Sequence, residues 1–376
     1  RTHDVRSAAS DEKARLPARM FGCSAKRLTL KFSPSGKSNL PAKHIMCLRV
    51  AFAFSRLRQY GSILKLFLTL AALLFPIPAF ADDALSLSGS TRVRYENIEG
   101  QPRAGFNSSH DLLSVRTILN GDYRAGDWRF EAELYDCRAY GSDSGTPLST
   151  ADVNALELVQ ASIRYEARDA FGSGTKLNVQ AGRFMLNLGS RRLVAADDFR
   201  NTTNGYTGVR ADIGLGDGLS TTLVYTLPQV RLPDGGSDLV NNRVKMDREN
   251  FDLVLWGGLV AQQLASKRGI VELSFYQLSE RDSNALATRD RALSTGGVRI
   301  YRDPAPGSIS YESETIYQFG SISASLAPAA PKLDVSAWFT HFELGYSFAR
   351  AWVPHVSLEF DYASGDGRGA NFGRFD

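Results

Sequence analysis

Long stretches of this chain change character at every second residue, and that period limits the possible folds more than any other feature. Leu85, Leu87, Gly89, Thr91, Val93 and Tyr95 fall on one face of the first stretch, and Ser86, Ser88, Ser90, Arg92, Arg94 and Glu96 on the other. A strand with two unlike faces gives this pattern. It returns at 113–124, 128–134, 159–166, 176–181, 209–213, 338–348 and 356–362. Several runs are longer than the roughly 5–6 residues of an ordinary strand and reach the roughly 9–11 that a tilted membrane strand needs. Tight turns such as 125–127 and 214–218 alternate with long polar stretches at 136–153, 184–206, 228–249 and 280–293.

The expected fold is all-β: a transmembrane antiparallel β-barrel over residues 82–376. After Ala81 no segment reaches 18 consecutive apolar residues, so any crossing is made by strands. In lipid every backbone N–H and C=O must be paired within the protein, so the sheet has to close. Apolar side chains then face acyl tails and polar ones a wet interior. Tyr95, Tyr123, Trp128, Tyr165, Tyr346 and Tyr362 lie near strand ends, as interfacial girdles do. About 13 to 14 strand candidates are countable. Residues 365–376, polar and Gly-rich, read as an outer loop, so closing strands are expected beyond residue 376.

Residues 1–45 show no periodicity and read as an upstream or disordered leader. Residues 46–81 read as a secretory signal: Arg49, Arg56, Arg58 and Lys65 precede an apolar run at 66–75, and Ala79-Phe80-Ala81 forms a cleavage site. The whole-chain charge of +4 misleads, because the leader and signal hold 14 Lys and Arg against 3 Asp and Glu. The body carries 30 basic and 37 acidic residues, which argues against nucleic acid as a partner. Cys137 is the one cysteine after the cleavage site, so no internal disulfide is expected.

Catalytic and cofactor motifs are absent: no Walker loop, no H-E-x-x-H, no C-x-x-C. No enzyme activity, cofactor or metal is expected. Arginine stands out on the face read as inward: Arg92, Arg94, Arg116, Arg129, Arg138, Arg164, Arg210 and Arg299. Glu96, Glu131, Glu133, Glu312, Glu314, Glu359 and Asp361 share it. Two readings stay open. The arginines either form carboxylate pairs that stiffen a wet wall, or leave a surplus that guides a polyanion.

The stretch 181–210 narrows the choice. Gly182-Arg183, Gly189, Arg192-Leu193, Asp198-Phe199-Arg200-Asn201 and Gly208-Val209-Arg210 resemble the alginate-export porin family of the bacterial outer membrane. Phe199 stands where that pattern has Trp, and Thr207 where it has Asp. Residues 133–140, 314–320, 345–348 and 362–366 resemble further family segments in the same order. The resemblance implies an 18-stranded single-chain barrel with an Arg-rich constriction, passing alginate from periplasm to exterior. It implies substrate contacts at Arg94, Arg138, Arg183, Arg192, Arg200 and Arg210, with Asp136, Asp197 and Asp198 as counter-charges. Implied partners are an anionic polysaccharide, outer-membrane lipid and lipopolysaccharide, and a periplasmic export machinery that supplies the energy.

The first rival reading is a porin for uptake of small anions or acidic oligosaccharides. A TonB-linked receptor would need a plug, and strand pattern begins within a few residues of Ala81. An outer-membrane hydrolase would draw its base from His341, beside Glu343 and Ser347.

Overall fold

The computed structural model describes residues 29–34 and 84–375, except 101–102, 197–198, 284–285, 328 and 368–370. The strands are β1 (Thr29–Pro34), β2 (Leu85–Ile98), β3 (His110–Ala125), β4 (Trp128–Tyr140), β5 (Asn154–Arg168), β6 (Lys176–Phe184) and β7 (Tyr206–Gly216). There follow β8 (Leu219–Pro228), β9 (Leu253–Gln263), β10 (Ile270–Glu280), β11 (Ala292–Arg302), β12 (Ser308–Ser323), β13 (Lys332–Ser347) and β14 (Pro354–Ala363). A five-residue helix, α1 (Gly236–Val240), interrupts the β8–β9 connection. All strands join one antiparallel sheet in the order β1-β14-β13 and so on down to β2. Each strand from β2 to β14 thus pairs with its neighbours in sequence. Residues 46–81, read as a secretory signal, and most of 1–45, read as a leader, lie outside the described residues.

Connections at one end of the sheet run from 2 residues (126–127, 217–218) to 7 (169–175). At the other end they run from 8 residues (324–331) to 24 (229–252). Strands β2 to β14 have 9 to 16 residues, enough to cross hydrocarbon when tilted. The tight turn expected at 214–218 shrinks to 217–218, and a second boundary moves further. β4 continues to Tyr140, so the long connection begins at 141, because Asp136, Cys137 and Arg138 still alternate along an unbroken β3–β4 ladder.

Burial is inside-out relative to a water-soluble protein. Leu87 is 61% exposed, Leu119 57% and Leu273 57%, whereas His341 is 1%, Gln180 5% and Glu272 7%. Two belts of outward aromatics mark where a bilayer would begin and end. Near the short turns Trp128 packs on Tyr165 at 4.9 Å and Tyr346 on Phe348 at 5.0 Å. Toward the long loops Trp338 stacks on Tyr362 at 4.6 Å, and Tyr317 on Phe319 at 5.9 Å.

The terminal stretch is less loop-like than its Gly-rich composition suggests. Phe372 is 5% exposed and packs with Leu293, Ile322, Val335 and Ala337, while its backbone bonds to Asp334 and Ser336 of β13. Two aromatics, Phe372 and Phe375, fold it back onto the inner wall near the loop end.

Candidate functional site

The connection 185–205 is the feature that gives the interior its shape. It leaves β6 at Phe184, which is fully buried, after Gly182. Gly182 has φ +118, and a Cβ there would lie 2.4 Å from the Ala161 carbonyl oxygen, so no other residue fits. Leu186, Leu188 and Val194 then pack on Tyr206, Val224, Leu255 and Tyr276, which lie on the inner faces of β7 to β10. Gly189 passes so close to β10 that a Cβ would come within 2.8 Å of Glu272 Oε1.

Both flanks of this loop are tied to opposite parts of the sheet. On β12, Ser190 Oγ donates to Glu314 Oε1 at 2.8 Å, and Arg192 Nη1 donates to Glu312 and Glu314 at 2.5 and 2.7 Å. On β2, Arg94 Nη1 donates to the Phe199 carbonyl at 2.6 Å and Arg92 Nη2 to that of Arg200 at 2.5 Å. Arg116 on β3 also reaches Arg200 O, at 3.4 Å. Asn201, 1% exposed, gives its amide to the carbonyls of Val115, Arg138 and Asp152. Cys137 Sγ meets Asn201 O at 2.9 Å, a structural role.

These ties require a curled sheet. β2 and β12 are ten strand spacings apart, about 48 Å along the wall. The eight steps from Arg192 to Arg200 reach at most about 28 Å fully extended. The wall therefore bends round the loop, and the loop crosses the space inside. Each buried apolar side chain of the loop contributes about 1.5–3 kcal/mol. A partly exposed ion pair such as Arg192–Glu312 contributes about 0–1 kcal/mol. Apolar packing thus holds the loop, and the ionic contacts aim it.

The residues singled out from sequence separate into groups. Arg94, Arg192, Arg200 and Arg210 belong to the interior. Arg210 Nε chelates its neighbour Asp212 at 2.9 and 3.1 Å on the inner face of β7. Arg138 and Asp136 do not line the interior, which corrects the inward reading. Along β4 they share parity with Trp128, Phe130 and Leu134, the lipid side, and pair there at 2.9 Å. The cause is simple: Arg129 and Arg138 are nine residues apart, an odd step, so an unbroken strand sets them on opposite faces. Arg183 shares parity with Val179 and Ala181 and is committed to a buried cluster. Asp197 and Asp198 lie outside the described residues.

The carboxylates in that cluster were not legible in the sequence. Glu157 is fully buried and takes Arg183 Nη1 at 2.7 Å and the Asp247 backbone N–H at 2.7 Å. Arg183 Nη2 reaches Glu249 at 2.8 Å. Asp247, in the 229–252 connection, accepts from Asn154 Nδ2 at 2.6 Å and Leu232 N–H at 2.8 Å. Burial, then the nearby Glu157 charge, push the Asp247 carboxyl up to about 7. A carboxyl raised in the folded state supports folding fully below its unfolded value, near 4, and loses that support as pH climbs to about 7. Asp247→Asn keeps both accepted bonds and removes the charge. Hydrogen exchange of residues 229–252 should therefore slow in this variant at pH 8 and barely change at pH 4; equal protection of both proteins at pH 8 would contradict the assignment.

Among the described residues, His341, Glu359 and Asp361 offer ligand atoms within 4.8 Å of one another. His341 Nδ1 is bonded to Asp361 at 2.7 Å, while Ser347 Oγ bonds instead to His355 Nδ1 at 2.9 Å. His341 and Ser347, which the hydrolase reading places together, thus belong to two separate pairs.

The family model described as alginate export matches residues 83–375. No curated protein matches the chain. Pseudomonas aeruginosa OccD3 (OpdP) aligns at 16% identity and TM-score 0.44, over 75% of this chain and 60% of its own length. Salmonella typhi OmpF in complex with daunomycin aligns at 11% identity and TM-score 0.31, over 74% of this chain and 97% of its own. Pseudomonas aeruginosa OccK2 (OpdF) in complex with glucuronate aligns at 12% identity and TM-score 0.28, over 74% and 95%.

Proposed function

The chain belongs to the alginate-export family and is an outer-membrane channel of β-barrel build; on that premise we propose that its interior passes an anionic polysaccharide such as alginate. The observation that carries the reading is the 185–205 loop, which crosses the interior and brings Arg191, Arg192 and Arg200 into it. A polymer threading the barrel has to meet this loop. Arginine stays charged at any relevant pH and offers a planar fork that matches uronate carboxylates.

The arginines are not a bare positive surface. Arg94 reaches Glu96, Arg192 reaches Glu312 and Glu314, Arg210 reaches Asp212, and Arg299 reaches Glu312. Paired this way, they bind a passing carboxylate weakly, which suits conduction: a site has to be left as readily as it is entered. No nucleotide-binding motif is present, so the driving force comes from outside the barrel, and no catalytic step is assigned. The lipid-facing belts fit a partner surface of outer-membrane lipid and lipopolysaccharide, and the short-turn end would face a periplasmic export machinery.

The test is single-channel recording in planar bilayers with polymannuronate on one side. Voltage-dependent block by the polymer supports the reading. Free passage of small anions with no polymer block would favour small-anion uptake instead. In the same assay Arg192→Ala removes one cation and leaves Glu314 without its guanidinium. The potassium-to-chloride permeability ratio should rise about twofold, read from reversal potentials in a salt gradient. An unchanged ratio would count against a role for Arg192 in selecting anions.

A further inference from the structure

Phe199 is 78% exposed, and the surroundings do not account for that exposure. Outward apolar side chains of this protein meet acyl tails. Phe199 does not, because its carbonyl is bonded to Arg94 on the inner face of β2. It stands in an aqueous interior, where so much exposed ring surface costs solvation. Its position is nonetheless fixed. Arg94 holds its backbone at 2.6 Å, and the Arg94 guanidinium lies over the ring at 5.2 Å from the centroid. Asn201, two residues on, is buried and triply bonded. A cleft of about 550 Å³ opens beside the ring, lined by Arg191, Arg192, Leu193, Phe199 and Asn204. That volume falls inside the roughly 300–1,000 Å³ of small-ligand sites.

We propose that Phe199 is a stacking platform for a pyranose ring of an acidic polysaccharide, with Arg191 and Arg192 receiving that sugar's carboxylate. The inference rests on the polymer-channel reading and gives it a specific contact point. A pyranose presents a face of C–H groups, slightly positive at hydrogen, and an aromatic face is negative. Arg94 behind the ring keeps it from turning edge-on. The same cleft thus supplies an apolar face for the ring carbons and cations for the acid, the two features that distinguish a uronate from a simple anion. Arg191 is oriented for this by its own bond to the Ala196 carbonyl at 2.9 Å, and Arg192 by Glu312 and Glu314.

The test uses the full chain in planar bilayers with a mannuronate hexamer as the blocker, reading block on-rates and off-rates separately. Phe199→Ala should raise the off-rate about three- to tenfold, with a much smaller change in on-rate, which long-range charge sets. Phe199→Trp should keep the wild-type off-rate or lower it. Phe199→Leu, apolar and bulky but without a π face, should behave like the alanine variant. An alanine or leucine variant that releases the hexamer at the wild-type rate overturns the platform while leaving the channel reading intact. A wild-type channel that the hexamer never blocks overturns both.

Discussion

Arginine placed at Leu119 should destabilise the protein by about 2–4 kcal/mol in lipid. Leu119 is 57% exposed, ten residues into the 16-residue β3, and sits opposite Leu134 on the outward face. If that face meets hydrocarbon, a guanidinium there has neither water nor a counter-ion within easy reach. The neighbouring Asn120 has the opposite parity and faces Glu133 in the interior. Asn120→Arg should therefore cost well under about 1 kcal/mol, since an inner arginine finds a carboxylate and water. Urea unfolding in lipid vesicles, followed by tryptophan emission, measures both variants. Near-equal costs would mean that the two faces see the same solvent, and the membrane assignment would fall with that result.

Removing Arg183 should be the most damaging change to the loop end. Its side chain is 18% exposed, and its partner Glu157 is fully enclosed. Taking one member from a buried ion pair costs about 3–5 kcal/mol, because the other stays charged without compensation. The residual exposure of Arg183 sets Arg183→Met near the lower end, about 3 kcal/mol. Combining Arg183→Met with Glu157→Gln should recover most of this, since the amide oxygen of the substituted side chain can still accept the Asp247 N–H. A double variant no better than the single one would show that the pair matters through packing rather than charge.

The sheet is legible in the sequence because period two survives in nearly every strand. Alternation through Leu85–Tyr95 and Trp338–Phe348 is enough to separate the two faces and to locate the aromatic belts. Register is harder to read. Arg138 groups with Arg129 by sequence because both lie in one arginine-rich segment, whereas the continuous β3–β4 ladder turns them apart. β5 would mislead a parity count more seriously. Its pairing with β4 slips at Glu133/Leu134 and again between Tyr135 and Cys137, and Leu156 takes a positive φ of 54°.

The inward loop is half legible. Gly182, Gly189, Arg192 and Asn201 stand out as a pattern, and each has a defined place. Who pairs with whom does not follow from it: Glu312 and Glu314 read as inward but lie about 120 residues from Arg192, and Glu249, the partner of Arg183, belongs to a different connection. Sequence spacing carries no trace of contacts that a curled sheet creates. Phe199 carries a weak signal as the one large aromatic among the charges of 197–200, and only its exposure gives it meaning.

The two-sided attachment of this crossing segment has a mechanical consequence. Apolar anchors at Leu186, Leu188 and Val194 hold its first half, and polar ties at Ser190, Arg192, Phe199 and Arg200 hold it to two distant walls, the geometry of a sill built into the frame. On the proposed function, a stiff cargo would have to align itself to pass over such a sill. Under the polymer-channel proposal, throughput then depends on how a strand presents its leading end to the sill.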